Sequence, residues 1–331
     1  MINVKYTIHA AAVAMIWGGC CAFPVSLGAA EAFTWAVDNS SVSLLNAGKP
    51  VWQFQYGASL PKPMFHPLAL PDGTVLTWDR PLDHPWHHAL WFSWKYLNRA
   101  NYWEEGRGIK TEAAGFTEWR NVSVKRGEGF SALIGMELAY HEPGRPPVLT
   151  EVREIRVSTP KQGHYHLDWT MTFIAQDEDV DLNRTPIVGQ ENGEPFGGYA
   201  GLSVRFARDF GDWQQVSTKG RIQLDPSVPF HAEAGADGID FSGAIAGQEA
   251  GIALLDCPTN LNAPTPWYTV MNPQKHFGFV QAAVIYYRPY VLKARQSVTL
   301  RYRVVVHAGR WSAEELRSAR KKYLKEVEKT K

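Results

Sequence analysis

Residues 297–307 read SVTLRYRVVVH. Large apolar residues (Leu300, Tyr302, Val304, Val306) alternate there with Arg301 and Arg303, the two-residue period of a half-buried strand. The same period recurs upstream. In His164–Ile174, Tyr165, Leu167 and Trp169 share one face, and His164, His166 and Asp168 the other. Val51–Tyr56, VWQFQY, alternates as well. Shorter strands are expected at Phe33–Asp38, Ser41–Leu45, Thr117–Val124, Gly129–Tyr140, Leu149–Ser158, Leu202–Phe206, Asp240–Ile245, Gly251–Asp256 and Gly278–Tyr287. Turns fall between them at Arg126–Gly129 and Glu142–Pro147, and Pro61, Pro63, Pro67 and Pro71 with Asp72-Gly73 impose an irregular crossing. A single helix is signalled. Ser312 and Glu315 form a capping box ahead of Ala313–Glu328, which is rich in Leu, Ala, Lys, Arg and Glu. No internal repeat or low-complexity linker divides the chain. The pattern predicts an all-β, antiparallel β-sandwich with one C-terminal helix from about Ser312, as a single domain over residues 31–331.

The bulk composition narrows the function classes. Net charge is +1 over 331 residues, with no basic stripe, which argues against a nucleic-acid partner. Aromatics at 12%, including 13 Trp, suit strands and ring-lined sites. Residues 1–30 read as a signal peptide: Lys5 is the positive region, Ile8–Trp17 the apolar core, and Gly28-Ala29-Ala30 the small residues before a cut at Glu31. Gly18-Gly19-Cys20 offers a lipoprotein alternative, with Trp17 a poor start for a lipobox. The expectation is a periplasmic or extracellular protein with no integral membrane segment once the signal is removed. Cys20 and Cys21 would leave with the signal, so the mature chain keeps only Cys257 and no intrachain disulfide. Cys257, after the apolar run Ile252–Leu255, reads as a small buried hydrophobe.

The chemistry concentrates in Pro81–Trp103, PLDHPWHHALWFSWKYLNRANYW. Asp83, His84, His87 and His88 lie within six residues and run into Trp91, Trp94, Tyr96 and Trp103. Acid–base and ligating groups beside flat apolar rings are the materials of a small-molecule site, and sugars stack their C–H faces on such rings. Pro85 holds His84 extended. If a strand begins at His87, then His87, Ala89 and Trp91 point one way and His88, Leu90 and Phe92 inward. His87 would then share a pocket with Trp91, and His88 would be structural. Both histidines could enter the pocket only through a loop or bulge. The plainer alternative is that the whole cluster is hydrogen-bonded structure at a strand mouth. His66 sits in the proline-rich crossing with the same two readings. Glu191 and Glu194 lie in the Gly-rich stretch GQENGEPFGGYAG, which has no Lys-Ser/Thr and no following helix to make a phosphate cradle. His164-x-His166 could hold a metal from one strand face, or that face could simply be solvated.

Four blocks together resemble the secreted PmoA-like family: Asp83-His84-Pro85-x-His87-His88-x-Leu90-Trp91-Phe92; Asn101-Tyr102-Trp103; Gly197-Gly198-Tyr199-x-Gly201-Leu202-Ser203-x-Arg205-Phe206; and Arg301–His307-x-Gly309. The likeness spans nearly the whole mature chain, and a Gly is common in the family where this chain has Ala89. It implies a galactose-mutarotase-like supersandwich and company with sugar degradation. The family name refers to methane oxygenation, which needs membrane spans that the sequence does not supply. The expected function is a carbohydrate-active protein acting on a sugar or oxidised sugar, with a small-molecule or oligosaccharide ligand. Asp83, His84, His87 and Glu191 would be catalytic; Trp91, His66, His88 and Arg205 would bind substrate. The alternatives are a non-catalytic carbohydrate-binding module, and a zinc or non-haem-iron enzyme using His84, His87, His88 and His66 as ligands. Nothing in the sequence requires a cofactor, and a divalent metal is the one it could accommodate.

Overall fold

The computed structural model describes residues 32–105, 113–223, 230–233 (backbone only) and 235–329. The expected signal peptide, residues 1–30, and the cut before Glu31 lie outside the described residues. Two antiparallel sheets dominate, each nine-stranded among the described residues. The first runs Phe33–Val37, Ser41–Asn46, Lys49–Gln55, Met64–Leu68, Leu90–Ser93, Gly201–Arg205, Phe277–Ala283, Trp267–Asn272, Phe230–Glu233. The second runs Gly220–Arg221, Gly211–Ser217, Gly238–Ile245, Gln248–Asp256, Ser297–Ala308, Tyr165–Ala175, Leu149–Val157, Ala132–His141, Phe116–Arg126. A small third sheet joins Tyr290–Leu292, Val180–Asn183, Tyr96–Leu97 and Ala100–Asn101. Ala313–Lys329 is the α-helix.

The strand Ser297–Ala308 is central to the second sheet, between Gln248–Asp256 and Tyr165–Ala175, as its strong alternation requires. Leu300, Tyr302, Val304 and Val306 face the other sheet and are fully buried. Tyr165, Leu167 and Trp169 lie on the same inner face, where the Trp169 ring meets Phe65 of the first sheet edge-on at 5.9 Å. Phe173 meets Phe92 at 5.1 Å, and the Tyr165 hydroxyl donates to the carbonyls of Val51 and Ala69 across the interface. These contacts close the sandwich through side chains of both sheets.

Each sheet also has an occupied outer face. On the second, Leu316 and Tyr323 of the helix bury against Ala253, Leu255, Cys257 and Val305. Ser312 and Glu315 make the capping box, with Ser312 N donating to Glu315 Oε2 at 2.7 Å and Glu315 N donating to Ser312 Oγ at 3.3 Å. On the first, Met64, Trp91, Tyr268, Val270 and Phe279 form a separate apolar cluster with Trp103. Alternation explains the division. Leu90 and Phe92, Leu202 and Val204, Val280 and Ala282 enter the sandwich core, while Trp91, Ser203, Arg205, Phe279 and Gln281 point outward.

Two sequence expectations change. The proline-rich crossing contains a strand, Met64–Leu68, although Pro67 removes a ladder donor. The strand expected from His87 starts at Leu90. Ala89 sits in left-handed backbone (φ 56°) and interrupts the alternation.

Candidate functional site

A cavity of about 530 Å³ opens on the outer face of the first sheet. Three segments wall it: the loop carrying Asp83, His84, Trp86 and His87; the loop carrying Thr185, Glu194, Phe196 and Tyr199; and the strands carrying Tyr268, Val270, Phe277 and Phe279. Trp103 and Glu104 complete it. The lining is mainly apolar; Asp83, His84 and His87 come from the first loop, and Glu104, Glu194 and Lys275 add charged groups from elsewhere.

That loop is held by its own backbone. His84 N donates to Pro81 O, and His87 N to His84 O at 2.9 Å. The Asp83 carboxylate accepts from His84 Nδ1 at 3.0 Å and from Arg205 Nη2 at 3.0 and 3.3 Å. Burial alone would raise the Asp83 carboxyl, but the Arg205 charge and the His84 hydrogen bond outweigh it and hold it below the usual carboxylate range. Burial likewise lowers His84, with Asp83 pulling it partly back up, so the imidazole is neutral at neutral pH. With Nδ1 committed to Asp83, His84 has Nε2 left for a ligand. The His87 ring lies 4.7 Å from His84 and stacks on Phe279 at 5.0 Å. Its Nδ1 is buried without a partner, so the edge it turns to the cavity carries Nε2. Burial, then the neighbouring His84 and Arg205, push His87 well below its ordinary value. The loop therefore presents two neutral imidazoles, one of them oriented by a carboxylate.

The other expected residues are placed differently. Arg205 is fully buried, stacked 3.6 Å from the Phe277 ring, and reaches the cavity through Asp83 instead of meeting hydroxyls itself. Trp91 is fully buried beneath the cavity, 5.2 Å from His87 and 5.6 Å from Trp103; it supports the wall and is not the exposed platform expected. His88 is fully buried behind the wall. Its Nδ1 meets Asp79 at 3.0 Å and its Nε2 meets Glu105 at 2.6 Å, while Lys62 pairs with Glu105. It is not packed inward beside Leu90 and Phe92 as alternation predicts, because the left-handed Ala89 returns it to the Trp91 side, 6.1 Å from that ring. His66 bonds Thr77 Oγ1 at 3.2 Å and does not line the cavity. Glu191 is exposed and also outside the lining; Glu194, three residues on, is the acid of that loop that reaches it.

The four histidines expected as a metal set are thus not brought together. His66 faces Thr77, both nitrogens of His88 face carboxylates, and His84 Nδ1 faces Asp83. Among the described residues, a possible ligand cluster occurs elsewhere, at His166, Asp168 and Glu326. There the Arg303 guanidinium already holds both carboxylates at 2.6 Å, tying the helix to the sheet. The His164–Asp168 face, expected to be solvated or ligating, is partly covered by that helix. Burial, and then the Arg303 charge, lower His166 to about 4.

Several site groups carry no local signal in the sequence. Glu104 is bound by Lys95 at 2.6 and 2.7 Å and by the Tyr199 hydroxyl at 3.2 Å. Tyr268, Phe277 and Phe279 come from strands far along the chain, and only their outward parity hints at a shared face. Tyr199 lies inside the glycine-rich block. Its neighbour Gly198 (φ 95°) packs on Tyr286, where an added Cβ would meet the ring at 2.4 Å.

The chain belongs to a family of unknown function, DUF6807, whose profile matches residues 41–321. That match does not carry the PmoA-like name. No curated protein matches the chain. Similar solved structures include the galactosidase domain of an alpha-galactosidase-sucrose kinase (10% identity, TM-score 0.43, 84% of this chain and 42% of that one). Others are a galactose mutarotase related enzyme from Lactobacillus acidophilus (7%, 0.39, 83% and 97%) and an alpha-galactosidase from Lactobacillus brevis (9%, 0.41, 84% and 40%). The chain therefore spans about two-fifths of the length of the two galactosidase chains.

Proposed function

We propose that the cavity binds a sugar and that the Asp83–His84 pair performs acid–base chemistry on it, in a protein exported by its first thirty residues. The observation that carries this reading is the carboxylate-oriented imidazole at 3.0 Å, set in an aromatic-walled cavity. Asp83 stays ionised under Arg205, fixes the proton on His84 Nδ1, and leaves Nε2 as an acceptor. A neutral imidazole so oriented takes a proton from a hydroxyl, or from a carbon beside the carbonyl of an oxidised sugar, and returns it. His87 supplies a second imidazole edge to the same substrate. Trp86 and Phe277 offer ring surface to the apolar face of a pyranose, and Glu104 and Glu194 can accept from its hydroxyls. The kinship with PmoA-like proteins suggested by the sequence blocks belongs to the same proposal.

The test is a thermal-shift screen of neutral and oxidised sugars, followed by anomer- and proton-exchange assays on those that bind. A saturating ligand should raise the melting temperature, and His84→Ala should abolish turnover. Binding without turnover by wild type would make the protein a carbohydrate-binding module instead.

A further inference from the structure

The two imidazoles of the cavity differ in what their Nδ1 atoms meet, and that decides which of them offers a ligand a proton. His84 Nδ1 bonds the Asp83 carboxylate at 3.0 Å. An ionised carboxylate only accepts, so the His84 proton sits on Nδ1 and Nε2 carries a lone pair. His87 is buried at 4% exposure and caged by rings, with Phe279 at 5.0 Å, Trp91 at 5.2 Å, and Trp103 and Phe277 at 5.9 Å. Its Nδ1 finds no hydrogen-bond partner among them. A proton there would be an orphaned buried donor, whereas on Nε2 it faces the cavity and whatever fills it. The surroundings therefore assign His87 the Nε2–H tautomer, opposite to that of His84. Burial, then His84, Arg205, His88 and Lys62, hold His87 well below its ordinary value, so it is a neutral donor at neutral pH. A neutral imidazole N–H steadies an oxygen that is gaining charge, but it is too weak an acid to hand its proton to the ether oxygen of a sugar ring.

Resting on the sugar reading above, we propose that the substrate is a keto sugar: His84 Nε2 takes a proton from the carbon beside the carbonyl while His87 Nε2–H holds the carbonyl oxygen. The two rings lie 4.7 Å apart, so a lone pair and an N–H face one ligand side by side. The electron pair of the broken C–H bond forms a C=C bond, and the carbonyl π pair moves onto the oxygen. The enolate so formed accepts from His87. His84 becomes an imidazolium against the ionised Asp83, exchanges its new proton with water, and returns one to the carbon. No electrons leave the substrate, and the net change is exchange of that carbon-bound hydrogen with solvent.

Two measurements on the full-length protein decide this. Nitrogen NMR of histidine-labelled protein reads the tautomers, and should find His84 protonated on Nδ1 and His87 on Nε2. Exchange in heavy water, followed by proton NMR against a protein-free control, uses methyl glucosides, methyl galactosides, and the ketones made from each by oxidising one ring hydroxyl. Deuterium should enter beside the carbonyl of a keto glycoside faster than in the control, and His84→Ala should abolish that excess. His87→Phe, checked for an unchanged melting curve, should still bind the keto glycoside yet exchange it about a hundredfold more slowly, the loss expected for one oxyanion donor. His87→Gln, which keeps an N–H, should recover part of the rate. Sugar binding with no exchange beside any carbonyl, full exchange in His87→Phe, or a His87 protonated on Nδ1 overturns the keto-sugar inference and leaves the sugar reading standing. No binding of any sugar, oxidised or not, overturns the sugar reading and this inference with it.

Discussion

Asp83 is the residue on which the acid–base end depends, because it couples a buried cation to an imidazole. Removing its charge should act on His84 in a defined direction. Asp83 raises His84 by hydrogen bond and charge against the lowering effect of burial. In Asp83→Asn the imidazole should therefore titrate lower, and the acid limb of the rate profile should move to lower pH while the plateau falls. A pH–rate profile of the variant beside wild type checks both changes. His88 tests the opposite role. Its ring is fully buried between Asp79 and Glu105, with Lys62 behind. His88→Ala leaves two carboxylates short of a partner and should cost about 1–3 kcal/mol in urea unfolding. An unchanged midpoint would return His88 to the ligand set.

The strands and helix were largely legible in the sequence where period and capping act locally. Tyr165–Ala175, Ser297–Ala308 and the helix from Ala313 lie within a residue or two of their expected bounds. What escaped was whatever long-range contact decides. The strand Trp267–Asn272, which carries Tyr268, has no strict alternation because both its faces are buried. Ala89 shows the same limit at a single position. Nothing local predicts its left-handed backbone, and that one conformation reverses the direction of His88. Left-handed backbone favours glycine over alanine, so Ala89→Gly should raise stability by about 0.5–1 kcal/mol in denaturant titration. Gly201 marks the other extreme. At φ 141° an added Cβ would lie 1.9 Å from Ala282 O, where Gly201–Arg205 pairs with Phe277–Ala283. Gly201→Ala should fail to give a cooperative melting transition.

At the scale of the whole molecule the helix and the site load opposite outer faces of the sandwich, so the two can be perturbed separately. His166, lowered to about 4 by burial, lies near the helix and outside the proposed site. Between pH 6.5 and about 4 the unfolded chain binds a proton there that the folded chain does not. Stability should therefore rise with pH across that window, its contribution being fully present above the unfolded value. His166→Asn should flatten the dependence of the melting temperature on pH over the same range. The candidate site itself was partly legible. The first loop's Asp83, His84 and His87 do converge, because a proline-held loop concentrates them locally. Tyr268, Phe277 and Phe279 join only through sheet order, Glu104 is fixed by Lys95 and Tyr199, and Glu191 and His66 fall outside the lining because neither loop direction is encoded nearby.

The central claim is that the cavity takes a sugar at the Asp83–His84 pair. The most direct measurement is the sugar-induced thermal shift of wild type beside His84→Ala, at neutral pH and with matched unliganded melting curves. A concentration-dependent upward shift in wild type, lost or strongly reduced in His84→Ala, is the predicted result. A shift of the same size in both proteins, or none in wild type with any sugar, would contradict it.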